Sequence, residues 1–383
     1  MQHRHIAKRL WPESRALAMD PREVARFDDV IDLSIGDMDV ATDSRIIDAA
    51  FADARAGYTR YGVPEGDPEL VQAICRYYQE EYRLSIRPEE VYVAASSLFS
   101  MELIMMAILN PDDEVLIFSP YFTPYKKQVE LAGGVAVEVP TYEADDYAIR
   151  EDLLRAAITD RTRALILNNP VNPTGAAYDR RTLELLAKVA KEHDLIVVAD
   201  EIYTSYIFSG EFIPFCSLPE MADRTITLNS FSKNYMMTGW RVGYVLGAPH
   251  FTHTLKQINN NMVYSAPAIS QRAALHALEI RDSIRDIYIS DYKNRVFYAA
   301  GRINAIPYLS VPSPKGTFYL FPNIEKTGLT SEEFRKELFE KAHVLVAPGN
   351  IFGSTGEGHF RMACTVSMEK LKEAFDRMET LTF

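Results

Sequence analysis

The stretch SFSKNYMMTGWRVGY, residues 230–244, links two β-branched runs, TITLN at 225–229 and VGYVLG at 242–247, through a polar loop with one lysine. Lys233 follows Ser230 and Ser232 and stands eight residues ahead of Arg241. Two hydroxyl donors and a guanidinium fork suit a phosphate dianion, and the amine beside them is a nucleophile next to an anion site. A plain serine-rich loop followed by a surface arginine reads the same way, so the loop alone leaves both open.

Outward from this loop, the alternation that contains it runs back to Val91. VYVAA, EVLIF, VAVEV, RALILN and LIVVAD precede TITLN and VGYVLG, separated by segments with a 3.6-residue apolar period. That pattern predicts an α/β fold whose seven strands form a mostly parallel sheet flanked by helices. Continuous apolar runs such as Leu195 to Ala199 predict strands buried on both faces. Asn168, Asp200 and Asn229 fall at the ends of such runs, on the carboxyl edge where open α/β sheets bind ligands.

Past about Arg281 the character changes. RDSIRDIYISDYKNRVFYAAGRINAI reads as one long amphipathic helix, followed by GTFYLFPNI, a helix near Ser331 to Ala342, a glycine-rich loop over 349–358 and a last helix after Ser367. The expected division is 1–44 as an N-terminal arm and part of a small domain, 45–282 as a large domain, and 283–383 completing a smaller α+β domain.

At 383 residues the chain can bury a closed site, and 47% hydrophobic with 25% charged residues is ordinary for a globular protein. No run reaches the ~20 apolar residues of a membrane helix. A net charge of -12 argues against a nucleic-acid partner. Cys75, Cys216 and Cys364 are odd in number and far apart, which suggests neither a disulfide framework nor a metal knuckle and fits a reducing cytoplasm. The opening MQHRHIAKRL is basic but lacks an apolar signal core, and acids follow at Glu13 and Asp20.

Together with NNPVNPTG at 168–175 and ADEIY at 199–203, SFSKNYMMTGWRVGY resembles the class I/II aminotransferases of the fold-type-I pyridoxal-phosphate superfamily. The likeness runs from Gly36 to Arg361 in the family's order, and several separated motifs in order are a specific signal. The resemblance implies pyridoxal 5'-phosphate as cofactor, held by Lys233 as a Schiff base, with Lys233 then serving as the base that moves the α-proton. It places Asp200 on the pyridine nitrogen, and Tyr203 and Asn172 on the phenolic oxygen. Ser230, Ser232 and Arg241 would take the phosphate, with the amides of Ser97 and Leu98 at a helix N-terminus.

The turn Ala94-Ala95-Ser96-Ser97-Leu98-Phe99 departs from the family pattern, with serines for glycines and Leu98 for a polar residue. Aspartate-specific relatives of one subgroup carry lysine there, so Leu98 weakens an aspartate assignment. Phe122 falls where the family stacks an aromatic on the ring, with Tyr121 and Tyr125 as near rivals. Arg361 corresponds to the arginine that grips the substrate α-carboxylate, and Gly36 to the glycine that closes over it. Tyr61 aligns with a tyrosine that reaches the neighbouring subunit's cofactor, which implies a homodimer with shared sites; Tyr58 competes for that register.

The activity this implies is ping-pong transamination between an L-amino acid and a 2-oxo acid. A C-S β-lyase or an aminocyclopropane-carboxylate-synthase-like elimination stays open on the same scaffold, because cofactor motifs do not decide the fate of the carbanion. A retired regulatory domain is disfavoured, since Lys233 and Arg361 are both present; a nicotinamide dehydrogenase is disfavoured because no G-x-G-x-x-G follows the early strands. Ile35, Tyr61, Leu98 and Phe122 are expected near the substrate side chain, favouring a neutral, aromatic or sulfur-containing amino acid over aspartate.

Overall fold

The computed structural model describes Met19 and residues 21–383. The basic opening segment, Glu13 and Asp20 lie outside the described residues, as does most of the first half of the 1–44 arm.

The seven β-branched runs pair into one sheet. After a short β1 (Ile31–Asp32), the strands β2 (Val91–Ala94), β3 (Glu114–Ser119), β4 (Val135–Pro140), β5 (Thr162–Asn168), β6 (Ile196–Asp200), β7 (Thr225–Ser230) and β8 (Gly243–Leu246) form it in the order β2-β8-β7-β6-β5-β3-β4. All pairings are parallel except those of β8 with β2 and β7. β8 has no room for a side chain at Gly243: a Cβ there would meet Asn229 O and Ser97 N, each at 2.8 Å. Only a glycine lets this strand lie so close to the start of the helix Ser97–Ile108.

Every residue of β3, β6, β7 and β8 is buried, because helices cover both faces. Alternate residues divide between two cores, as the two-residue period of a strand requires. Val115, Ile117, Ile166, Val198 and Ile226 pack on one side with Met101 and Ile104 of the helix Ser97–Ile108. Leu116, Leu165, Leu167 and Val197 pack on the other with Leu183 and Leu186 of the helix Arg180–Glu192. Full burial of one such side chain contributes about 1.5–3 kcal/mol.

A smaller α+β unit combines both ends of the chain. β9 (Tyr319–Leu320), β10 (Val344–Leu345), β11 (Ala347–Pro348) and β12 (Phe360–Ala363) follow the large sheet; β11, β12 and β9 pair antiparallel, while β1 pairs parallel with β10. The helix Ser331–Ala342 has the predicted bounds, because Thr330 and Glu333 form a capping box that fixes its start. Residues 281–305 are helical throughout, but Arg285–Ile289 form a π turn between the α segments Arg281–Ile284 and Ser290–Ala305. The buried positions Ile284 and Ile289 are five residues apart across this turn, whereas Ile284 with Ile287 and Tyr288 reads as an unbroken α period, so the pattern does not announce it.

Candidate active site

Asn168 and Asp200 are register partners at the carboxyl ends of β5 and β6, and Ser230 ends β7 beside them. The loops beyond these ends enclose a cavity of about 190 Å³ bordered by Ser97, Phe122, Asp200, Tyr203, Lys233 and Arg241. A larger hollow of about 710 Å³ opens at the opposite edge, around Arg163, Asp194 and Arg224. Arg224 there is paired with Asp194 at 3.0 Å, and none of the motif residues borders it. The chemistry therefore lies in the smaller cavity.

Lys233 sits in a one-turn helix, Phe231–Asn234, whose first turn is held by the Ser230 hydroxyl accepting from Ser232 N at 3.1 Å. Its ammonium lies 5.7 Å from the Phe318 ring centre and donates to Gly36 O at 2.7 Å. Glycine is needed at 36 because a Cβ would lie 1.7 Å from the Tyr319 hydroxyl.

Asp200 is 4% exposed. Its Oδ2 accepts from the Tyr125 hydroxyl, and its Oδ1 has no hydrogen-bond partner. Burial pushes the carboxyl up to about 6, the expected response of an acid in a desolvated place without a cation. A buried carboxylate with an unpartnered oxygen, on a residue that borders a cavity, is matched to a cationic N–H donor.

Arg361, on β12, is 2% exposed and lies between the rings of Tyr319 and Phe352, at 4.5 and 4.9 Å. Its Nη1 donates to Asn172 Oδ1 at 3.1 Å and its Nη2 to Ser34 O at 2.6 Å, while Nε has no partner. None of these partners is a carboxylate, and burial lowers the guanidinium pKa. A buried cation with a free donor is a receptor for an anion. Asn172 Nδ2 in turn donates to the Tyr203 hydroxyl at 3.5 Å, a long contact, and burial holds that hydroxyl well above its ordinary pKa.

The anion end of the cavity is built on the helix Ser97–Ile108, capped by the Ser96 side chain. As its first two residues, Ser97 and Leu98 have amides with no intrahelical acceptor. Ser232 and Arg241 border the same space, and Arg241 is steadied by Nη1 donating to Thr238 O at 2.7 Å. Free amides, a hydroxyl and a guanidinium around one hollow suit a phosphate. Phe122 borders the cavity and meets Tyr125 edge-on at 5.6 Å.

The fold thus gathers Lys233, Asp200, Tyr203, Ser97, Leu98, Phe122, Ser232 and Arg241 around one cavity, with Asn172, Arg361 and Gly36 one contact away. Ser230 does not border it: its hydroxyl caps the lysine's helix and reaches Val242 O at 3.4 Å. Tyr61 is 90% exposed, touches Tyr264 edge-on at 5.6 Å and does not border the cavity. Ile35 likewise is half exposed. Sequence reasoning missed Tyr125 as the partner of Asp200, 75 residues away; the aromatic cluster at 121–125 was its only signal.

Taken as a set, an amine, an open buried carboxylate oxygen and a phosphate-sized donor cluster fit a phosphorylated pyridine aldehyde. The family model for aminotransferase class I and II matches residues 28–378. An aspartate aminotransferase of Pyrococcus abyssi is 40% identical over 93% of this chain and 92% of its own. An arginine–pyruvate transaminase of Pseudomonas aeruginosa is 34% identical over 95% and 92%. The crystal structure of an aromatic aminotransferase from Pyrococcus horikoshii superposes with a TM-score of 0.90 at 37% identity, covering 95% of this chain and 98% of that one.

Proposed function

Because the chain belongs to the class I and II aminotransferases and is a pyridoxal-phosphate-dependent transaminase, we propose that Lys233, Asp200 and Arg361 are its working centre. The enzyme moves an amino group from an amino acid to a 2-oxo acid in two half-reactions. Pyridoxal phosphate, when bound, supplies an aldehyde that joins an amine and a pyridinium ring that withdraws the electrons left at the substrate Cα.

The rest falls to the protein. Asp200, whose Oδ1 has no partner, would keep a proton on the ring nitrogen. The amides of Ser97 and Leu98, the Ser232 hydroxyl and Arg241 hold the phosphate, with Ser230 acting through the helix it caps. Phe122 covers the ring and keeps water from it. Asn172 and Tyr203 donate to the phenolic oxygen. Arg361 grips the α-carboxylate through Nε and an Nη, under the Gly36 backbone, which fixes the Cα–H bond relative to Lys233. Lys233 Nζ would hold the cofactor aldehyde and, as a free amine, would take the Cα proton and return it.

The observation that carries this reading is that Lys233 and Asp200, a buried carboxylate with one unpartnered oxygen, border one cavity. Apart from Lys233 and Arg241, the residues bordering that cavity bring no further cation to it, and Leu98 and Phe122 present hydrocarbon. We therefore assign a neutral, aromatic or sulfur-containing amino donor. Exposed Tyr58, Tyr61, Val63, Met262, Val263 and Tyr264 support a homodimer in which Tyr61 serves the partner's site. The pairing of β1 with β10, and the packing of the helix Ser44–Arg55 on Ala268–Glu279, support a small domain of 1–44 with 283–383 and a large domain of 45–282. Free Cys75, Cys216 and Cys364 support a cytoplasmic location.

The test is a panel of amino donors, first without acceptor and scored for pyridoxamine phosphate against released pyruvate or sulfide, then with 2-oxoglutarate or pyruvate as acceptor and scored for turnover. Pyridoxamine phosphate from neutral or aromatic donors is the expected result. Aspartate as sole donor overturns the substrate class, sulfide or pyruvate without pyridoxamine phosphate overturns amino transfer from these donors, and undiminished pyridoxamine phosphate formation by Lys233→Ala overturns the role given to Lys233.

A further inference from the structure

We propose that Asp39, clamped by Arg295 and Tyr292, is a positioning residue for carboxylate binding: it anchors residues 33–42 as a strap whose backbone carbonyls set the places of Arg361 and Lys233. This rests on Arg361 receiving the substrate carboxylate.

The strap runs between the two sheets and is bonded to both sides. Toward the large sheet, Lys233 Nζ donates to Gly36 O at 2.7 Å, Thr238 to the Asp37 carboxylate at 2.7 Å, Thr42 to Met236 O at 2.6 Å and Trp240 to Thr42 at 2.9 Å. Toward the small sheet, Leu33 N donates to Leu345 O at 2.8 Å, Ala363 N to Leu33 O at 2.7 Å, Asp39 N to Thr365 O at 3.1 Å and Arg361 Nη2 to Ser34 O at 2.6 Å. Two carbonyls of one short segment therefore hold the two groups that must meet one substrate.

What stops the strap from sliding is a side-chain anchor on the long helix. Asp39 Oδ1 accepts from Arg295 Nη1 at 2.8 Å and from the Tyr292 hydroxyl at 3.0 Å. Arg295 is 6% exposed, lies 4.8 Å from the Tyr292 ring centre, and donates also to Val366 O at 2.6 Å. Asp39 itself is exposed, with its carboxylate turned in against the buried guanidinium, and a carboxylate held by two donors on one helix keeps its geometry better than a single-contact surface pair. The anchor touches neither cavity nor cofactor site. Its effect passes through three residues of backbone to Gly36 and five to Ser34, so it bears on the angle of the Arg361 fork. A bidentate contact is sensitive to that angle.

The pair can be cut without unfolding the chain, because Arg295 keeps a second carboxylate, Asp291, at 2.6 Å. The experiment uses the holoenzyme and its Asp39→Ala, Tyr292→Phe and Arg361→Lys variants. The dissociation constant of 2-aminoisobutyrate, an α-methyl amino acid with no α-proton to lose, is read from the cofactor absorbance, and the cofactor dissociation constant is measured separately.

Asp39→Ala is expected to weaken 2-aminoisobutyrate roughly tenfold or more, a displacement effect on an oriented contact. Tyr292→Phe, which removes one hydrogen bond, weakens it about threefold. Cofactor affinity stays within about twofold in both, and the donor KM rises while kcat changes less than KM. An unchanged 2-aminoisobutyrate constant in both variants, with Arg361→Lys strongly weakened, overturns the strap alone. Parallel loss of cofactor and analogue overturns it too, as general loosening. An unweakened Arg361→Lys overturns the carboxylate role of Arg361 and the strap with it.

Discussion

Asp200→Asn separates the electrostatic role of the buried carboxylate from its packing. In the cofactor-free protein the Asp200 carboxyl is raised from 3.8 to about 6, chiefly by burial. Below about pH 4 it is protonated in folded and unfolded chains alike, so ionisation costs folding nothing. Between about pH 4 and about pH 6 the unfolded chain releases the proton and the native state keeps it, so stability falls as pH rises through this window and levels off above it. At about 1.36 kcal/mol per unit, the fall amounts to about 3 kcal/mol.

Asparagine has nearly the same shape and no such slope. Urea unfolding of the two cofactor-free proteins at half-unit steps from pH 4 to 8 measures the difference directly. Glu201, pushed up to about 8 by burial, adds its own slope to both, so the comparison is of differences. With cofactor bound, a protonated ring nitrogen paired with the carboxylate would keep it ionised, and the wild-type slope is expected to disappear. Activity of Asp200→Asn is expected to fall at least about a hundredfold, since breaking a buried charge pair costs ~3–5 kcal/mol. Parallel stability curves for the two cofactor-free proteins between pH 4 and 6 would refute the reasoning.

Gly36→Ala brings a methyl group to 1.7 Å from the Tyr319 hydroxyl; the forced shift costs about 1–3 kcal/mol, and donor KM rises while the protein still folds, as steady-state kinetics and circular dichroism will show. Leu98→Lys adds an ammonium at the cavity border, and the ratio of kcat/KM for aspartate to that for phenylalanine rises roughly tenfold or more; an unchanged ratio removes Leu98 from the specificity argument. Mixing inactive Lys233→Ala subunits with Tyr61→Ala subunits is expected to restore activity through hybrids with one intact shared site, and sedimentation as a monomer would contradict it. Thr330→Ala removes a capping box and lowers unfolding stability by about 1 kcal/mol, without changing donor KM.

The strands were legible because a strand buried on both faces is written locally, as an apolar run between polar breaks. All seven runs from VYVAA to VGYVLG lie in the sheet, and the helix Ser331–Ala342 is announced by its own capping box. The π turn at 285–289 was not legible, since Ile284, Ile287 and Tyr288 read as a continuous α period although Ile287 is exposed and Ile289 is buried in its place.

The site divides along the same line. Lys233, Asp200, Asn172 and Arg361 stand in motifs a few residues long, so the sequence by itself determined the cofactor chemistry and the order of its parts. Whether a hydroxyl faces inward, as Ser232 does, or turns back to cap a helix, as Ser230 does, depends on how the chain leaves β7. The partner of Asp200 is a tyrosine 75 residues away, and the strap joins Gly36 to Lys233 across 197 residues. Such contacts carry no periodicity and no local signature. They exist only where packed sheets and helices bring distant side chains within hydrogen-bond range, and that geometry was decided by the tertiary structure alone.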